Sequence, residues 1–408
     1  MVASLSRPPI AAAAPGAVRS GDRRRKEPPV RIDLFQMERF QSLYWNEVEY
    51  DLSESGVMPL SVNELLGNDP RAEARLLETG LWYPLSEGSE RLRQRIADWY
   101  PGAEVENVSV TNGGSEANHL TLWSLLRPRD RLAFMVPNYM QGWGLGRHYA
   151  HGTDVFRLRL RKDDGRWALD PSELEKAVGK RTRVVMVCNP NNPTGSILSE
   201  EEMDAVVSVA RKANAWLVAD EIYRGAEVGA EIDTDTAAPT FWGRYDKVVV
   251  TSGLSKAFGM PGLRIGWVVG TADFVKDLWT RHDYTTLTPG VLSDGLGTVA
   301  MQHRNRERIL KRTRSIIRAQ LPVVERWVER QGDRLSYVRP QAGAIAYLRY
   351  HGKLGSMALA ERLRTEQSVL VVPGQVFSMG KFIRIGFGYD PKRLKRGLDR
   401  VGKVLATI

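Results

Sequence analysis

One lysine stands in a setting ill suited to a side chain meant only for solvent. The apolar run Val248, Val249 and Val250 leads through Ser252, Gly253 and Ser255 to Lys256. A turn punctuated by Gly and Pro follows, then a second apolar run from Ile265 to Val269. The amine therefore lies where a strand ends and a loop begins, the edge at which open α/β sheets bind ligands. Burial among small and apolar groups disfavours the ammonium form, so the spacing predicts a neutral nucleophile able to form an imine. Arg264, eight residues on, offers a fixed positive charge for a phosphate. An isolated lysine of this kind is most often a surface side chain, so the remaining loops must decide.

Four further loops follow strand ends, and each complements an imine-forming amine. Thr111-Asn112-Gly113-Gly114-Ser115 joins a strand to a helix; its two glycines admit close backbone approach, and the N–H groups of the new helix suit an anion such as phosphate. A tight strand-to-helix turn capped by Ser reads the same way without any ligand. Tyr139, after Val136-Pro137-Asn138, places a ring where it could stack on a planar heterocycle or pack in the core. Asn189-Pro190-Asn191-Asn192-Pro193-Thr194-Gly195 is more specific: a rigid turn presenting side-chain amides, from which Asn192 could donate to a phenolate oxygen. Trp216 to Ala219 ends in Asp220, Glu221 and Tyr223. An Asp buried there needs a cationic partner, which a protonated ring nitrogen would provide, unless the two carboxylates merely cap a helix.

These loops need a scaffold, and the chain supplies one. Its 408 residues, 42% hydrophobic and 26% charged, can bury a large core and build more than one domain. Apolar runs at 108–111, 132–136, 155–160, 184–188, 216–219, 248–251 and 265–269 alternate with helical periodicity, as in the capping box Ser199/Glu202 followed by Met203, Val206, Val207 and Ala210. The expected fold is α/β: a mostly parallel sheet covered by helices on both faces. Beyond about residue 290 a long basic helix, roughly 304–330, leads into shorter strands near 345–348, 369–371 and 382–387, which predict a smaller α+β C-terminal domain. The expected organisation is a disordered basic leader at 1–30, an arm at 31–60 contributing to the small domain, a large cofactor-binding domain at 61–300 and the small domain at 301–408. The Arg-rich, acid-poor leader also fits a transit peptide.

The formal charge of +10 is partly leader arginine and elsewhere dispersed on helical segments, with no basic stripe interleaved with aromatics, so no nucleic-acid partner is expected. No apolar run reaches the roughly 18–20 residues that cross a bilayer, and no membrane partner is expected. A single cysteine, Cys188, ending an apolar run, excludes an internal disulfide and any Cys-clustered metal site. It fits a reducing, cytoplasmic setting with the thiol buried and inert.

With these motifs in hand, residues from about 31 to the C-terminus resemble the fold type I pyridoxal-phosphate-dependent enzymes, specifically the class I/II aminotransferase family. The resemblance rests on the Asn-Pro-Asn-Asn-Pro-Thr-Gly turn, on Asp220-Glu221-Ile222-Tyr223, on Ser255-Lys256 through Arg264, and on Phe382-Ile383-Arg384-Ile385-Gly386. It implies pyridoxal 5′-phosphate held by Lys256 as a Schiff base, with the same amine later shuttling the Cα proton. It further implies Asp220 on the pyridine N–H, Asn192 and Tyr223 on the ring oxygen, and Tyr139 stacked on the ring. Gly113, Gly114, Ser115, Ser255 and Arg264 would hold the phosphate, and Arg384 would clamp the substrate carboxylate, with Asn192 and Gly56 beside the substrate. Tyr83 matches a family tyrosine that reaches the neighbouring subunit's phosphate, implying a homodimer with shared sites.

Two departures stand out. Gly253 occupies a position where many relatives carry Ser or Thr as a phosphate ligand. The substrate loop reads Ser55-Gly56-Val57-Met58-Pro59 instead of a Gly-x-Pro pattern. The expected activity is amino-group transfer between an L-amino acid and a 2-oxo acid. The alternative is another pyridoxal-phosphate reaction on the same scaffold, such as γ-elimination, ring closure or substitution, with S-adenosylmethionine as one candidate substrate.

Overall fold

The computed structural model describes residues 32–67, 69–161, 165–229 and 237–408, so the expected leader at 1–30 lies outside the described residues. Strand β1 is Tyr50–Asp51. Eight strands then build the principal sheet: β2 (Val108–Thr111), β3 (Arg131–Val136), β4 (Gly152–Leu160), β5 (Trp167–Leu169), β6 (Thr182–Cys188), β7 (Trp216–Asp220), β8 (Val248–Gly253) and β9 (Gly266–Val269). Their spatial order is β2-β9-β8-β7-β6-β3-β4-β5. The four central pairings, β8 with β7, β7 with β6, β6 with β3 and β3 with β4, are all parallel. Val184, Val185, Val187, Leu217, Ala219, Val249 and Val250 have essentially no exposure. A strand with helices against both faces has no polar side to show, which is why these segments read as unbroken apolar runs.

All seven expected strands form. The short β5 was not expected; it closes one edge by pairing antiparallel with β4. Strand β9 runs antiparallel to both neighbours, β2 and β8. Its antiparallel return follows from the connection: only the turn carrying Lys256 and Arg264 separates it from β8, too short for the crossover that a parallel strand requires.

The C-terminal part contains β10 (Leu335–Tyr337), β11 (Ile345–Tyr350), β12 (Val369–Leu370), β13 (Val372–Pro373) and β14 (Phe382–Gly386). Four of these form an antiparallel sheet in the order β10-β11-β14-β13. The run expected at 369–371 splits, and β12 leaves that sheet to pair in parallel with β1. A 29-residue helix, His303–Gln331, bridges the two parts; its buried stripe includes Ile309, Leu310, Ile317, Leu321, Val324 and Trp327.

The segment after β1 carries the chain from this pairing into the space between the sheets. Gly386 N donates to Leu52 O at 2.7 Å, and a Cβ on Gly386 would collide with the carbonyl oxygen of Glu54. Backbone packed against backbone at this point fixes where residues 53–56 enter the site. Gly386→Ala is therefore expected to displace that segment and lower stability by about 3 kcal/mol, checked by chemical denaturation, with weakened binding of the small-molecule ligand in parallel.

Candidate active site

The carboxyl ends of β3, β6, β7 and β8, together with the turn after β2, surround a cavity of about 610 Å³. Its wall includes Ser115, Tyr139, Asn192, Asp220, Tyr223, Ser255, Lys256, Arg264 and Arg384. Thus the loops singled out in the sequence converge on one space, as expected where parallel strands deliver their loops to one edge.

Asp220 ends β7 and is buried, 7% exposed. Asn118 Nδ2 donates to its Oδ2 at 2.9 Å and the Ile222 N–H to its Oδ1 at 3.1 Å. Asn118 is itself oriented by Thr251, whose Oγ1 donates to Asn118 Oδ1 at 2.6 Å. Burial raises the Asp220 carboxyl above its ordinary range, and the two hydrogen bonds oppose that rise. A buried carboxylate supported only by neutral donors is a site prepared for a cation.

Arg384, at 1% exposure, presents the reverse case. Its Nη1 donates to Asn192 Oδ1 at 2.9 Å and its Nη2 to Ser53 O at 2.6 Å, while Nε has no partner. Among the described residues no carboxylate lies within ion-pair distance of it. Buried guanidinium facing neutral oxygens is prepared for an anion, and its planar fork suits a carboxylate.

At the opposite wall, the turn after β2 passes through Gly113 at φ +97° into the helix Gly114–Leu125. A side chain on Gly113 would collide with the Arg264 guanidinium, which packs over the turn with Nη1 donating to Pro261 O at 3.0 Å. Ser115 and Ser255 line the same wall. A Cβ at Gly253 would sit 2.7 Å from Ile265 O and 3.0 Å from Gly266 Cα, so β9 leaves no room there for Ser or Thr. Ser252 turns away and donates to Glu221 O at 3.1 Å. The departure at position 253 is therefore a packing consequence, and the polar wall is completed from Ser115, Ser255 and Arg264.

Tyr139 donates to Glu38 Oε1 at 2.8 Å and meets Phe35 edge-on at 4.9 Å. Burial raises its phenol well above the ordinary value, and the Glu38 charge adds to that rise. Tyr223 donates to Ser55 Oγ at 2.8 Å. Gly56 does not line the cavity; a Cβ on it would lie 3.8 Å from Lys256 Cδ, so it borders the lysine stem. Tyr83, 73% exposed, stands outside the cavity of its own chain.

The sequence reading of Lys256 needs one correction. Its Nζ donates to Glu54 Oε1 at 2.7 Å, and the same oxygen accepts the Gly56 N–H at 2.8 Å. Burial alone would depress the amine, but the Glu54 charge and hydrogen bond raise it above the ordinary lysine value. Without the cofactor the amine is therefore held as an ammonium, not as the neutral nucleophile expected. Burial works against the Glu54 carboxylate as well, yet Lys256 brings it down to about 2. Glu54, Glu38 and Asn118 escaped the sequence analysis. Glu54 is the one charge within the small-residue loop Ser53 to Gly56, and Asn118 is an amide among the buried residues of a largely apolar helix; those were the available signals.

A family model, Aminotransferase class I and II, matches residues 55–401. The chain is 31% identical over 363 residues to the capreomycidine synthase of Streptomyces vinaceus, covering 88% of this chain and 91% of that protein. Among solved structures, a PLP-dependent aminotransferase from Streptococcus suis 89-1591 superposes with a TM-score of 0.84 at 26% identity, covering 92% of this chain and 98% of that one. The PLP-dependent cyclase OrfR superposes with a TM-score of 0.80 at 27% identity, covering 95% and 99%. The chain belongs to the class I and II aminotransferase family, a pyridoxal-phosphate-dependent enzyme family of fold type I. The residues present fit that cofactor: a buried carboxylate lacking a cation, a lysine at the cavity wall, and a helix N-terminus beside an arginine.

The Glu54–Lys256 pair makes a testable contribution in the cofactor-free protein. Because the folded-state carboxyl lies below the ordinary 4.5, the stabilisation is complete above that value and declines as pH falls toward about 2. Glu54→Gln should cost roughly 1–3 kcal/mol at pH 7, and the gap between variant and parent in urea denaturation should narrow as pH is lowered to about 4.

Proposed function

We propose that this enzyme removes the Cα proton of an L-amino acid whose carboxylate is held by Arg384, with Lys256 Nζ as the base. Bound pyridoxal phosphate supplies an electron-withdrawing ring that acidifies that proton. Asp220 would keep the ring nitrogen protonated, Asn192 and Tyr223 would bind the ring oxygen, and Tyr139 would cover the ring face. Gly113, Gly114, Ser115, Ser255 and Arg264 would bind the phosphate. These assignments are supported by the burial of Asp220 and Arg384 without ionic partners and by the helix N-terminus beside Arg264.

Two outcomes are open once the proton is on Lys256. In amino-group transfer Lys256 would pass that proton on instead of returning it to Cα, and water would release the product as a 2-oxo acid while the cofactor keeps the amino group. In a one-substrate reaction, a leaving group departs from the side chain with its electron pair and a nucleophile, from the same molecule in a ring closure, takes its place. The observation that favours the second is the Glu54 carboxylate touching Lys256 Nζ, with Glu38 on the same cavity wall. A dicarboxylic 2-oxo acid acceptor would bring a second carboxylate toward these two, whereas a one-substrate reaction needs no acceptor. The similarity to a capreomycidine synthase and to the cyclase OrfR supports this reading. Amino transfer is kept as the second reading by the Streptococcus suis aminotransferase, whose TM-score is 0.84.

The site would be shared between two copies of the chain. Leu77, Leu81, Trp82, Tyr83 and Leu85 are all more than half exposed, an apolar run unusual for a surface left in water. A second copy covering it would carry Tyr83 toward the neighbouring phosphate wall. We place the enzyme in a reducing compartment such as the cytoplasm, consistent with a lone, buried Cys188. Light scattering is expected to give the mass of a dimer, and Tyr83→Ala to weaken cofactor retention.

The reaction is tested by incubating loaded enzyme with single L-amino acids in deuterated water. Cα deuterium incorporation is expected, lost by at least about a thousandfold in Lys256→Ala, with Arg384→Lys raising KM about tenfold. Conversion without any added acceptor, and no 2-oxo acid retaining the intact side chain, supports the one-substrate reading. Stoichiometric 2-oxo acid with its side chain intact, and cofactor left in the amine form, would replace it by amino transfer.

A further inference from the structure

Resting on the Cα reaction above, the charge balance of the cavity points to the class of amino acid it takes. Its wall carries three cationic side chains, Lys256, Arg264 and Arg384, and three carboxylates, Glu38, Glu54 and Asp220. In the loaded enzyme Arg264 has a phosphate, Arg384 the substrate carboxylate, and Asp220 the ring nitrogen. The Lys256 nitrogen is then committed to the cofactor and to the Cα proton, and ceases to be a dedicated counter-ion for Glu54. Among the described residues Glu54 then keeps the Gly56 N–H, at 2.8 Å, as its hydrogen-bond donor, and Arg384, whose charge also acts on it, is taken by the substrate carboxylate. A partly buried carboxylate in that position must take up a proton or find another cation.

The shape of the site bears on which. A second cavity of about 380 Å³ adjoins the first, and the two share Glu54 and Trp45 in their walls. Asp51, Tyr389 and Asp390 also line it, and the one lysine or arginine among its described lining residues, Arg393, packs over the Tyr50 ring 5.7 Å from the centroid. A substrate side chain leaving the reaction centre toward this space would pass between a carboxylate and an indole, the two groups that hold ammonium and guanidinium ions.

We propose that Glu54 is a specificity-determining residue that reads a cationic side chain, ammonium or guanidinium, on the amino acid substrate, with Trp45 packing against it. Glu54 then exchanges partners during the cycle: Lys256 before loading, the substrate side chain afterwards. A neutral isostere of the same length would leave the carboxylate without a cation.

The experiment is a stopped-flow titration of the cofactor absorbance in loaded enzyme, comparing L-arginine with L-citrulline and L-lysine with L-2-aminoheptanoic acid. The cationic member of at least one pair is expected to bind about tenfold tighter or more, and which pair responds separates guanidinium from ammonium. Glu54→Gln should abolish that preference by weakening the cationic member alone, and Glu54→Asp should retain part of it. Equal or undetectable affinity within both pairs, or a loss in Glu54→Gln that falls equally on charged and neutral members, overturns the proposal. Deuterium exchange at Cα, followed on the same amino acids, reports separately on the reaction. A cation preference without exchange would sink the assigned chemistry and leave the Glu54 site standing, whereas exchange without a cation preference would do the opposite.

Discussion

A cavity walled by six charged side chains holds together only if every charge that leaves water finds a partner. In this enzyme the requirement is met unevenly. Arg384 and Asp220 are deeply buried and face neutral oxygens and neutral donors, respectively. Lys256 and Glu54 satisfy each other at 2.7 Å. Among the described residues the first two have no side chain of opposite charge within ion-pair distance, and the last is a closed pair. Because desolvation magnifies each mismatch, the charges in the wall make the cavity selective for what fills it.

The scaffold serves this balance by rigidity. Asp220 stands at the end of a strand hydrogen-bonded on both sides, between β6 and β8, so it cannot retreat to water. Arg384 lies in β14, between β11 and β13. The two come from separate sheets, and residues 52–56, packed backbone to backbone against Gly386, run between them. The chain thereby places Glu54 from one end of the sequence, Lys256 from the middle and Arg384 from near the other end around one space.

Much of this was legible in the sequence, for definite reasons. Strands buried on both faces must be apolar throughout, which marks the central β3, β6, β7 and β8 in the sequence, and all seven expected strands of the principal sheet appear. Loops at the carboxyl ends of parallel strands must converge, so Asn192, Asp220, Tyr223, Lys256 and Arg264 line one cavity as expected. What was not legible depends on contacts between distant segments. The edge strand β5 is three residues long, too short for a periodic signal. The strand expected at 369–371 divides because β1, more than 300 residues earlier, captures Val369 and Leu370. The absence of a hydroxyl at position 253 looked like a lost ligand and is instead a matter of space beside β9.

The sequence by itself determined the class of chemistry: an amine, a carboxylate, amides and Arg264 in loops that follow strands, because local pattern fixes strands and strand ends fix where loops meet, with Arg384 inside a further strand. Only the tertiary structure decided the protonation of that amine. Glu54 is 202 residues away along the chain, and no local pattern announces a carboxylate that arrives from a separate segment. Burial alone argued for a neutral lysine; one ion pair at 2.7 Å reverses the sign. That reversal is a property of distance, and distance between remote residues is what folding supplies.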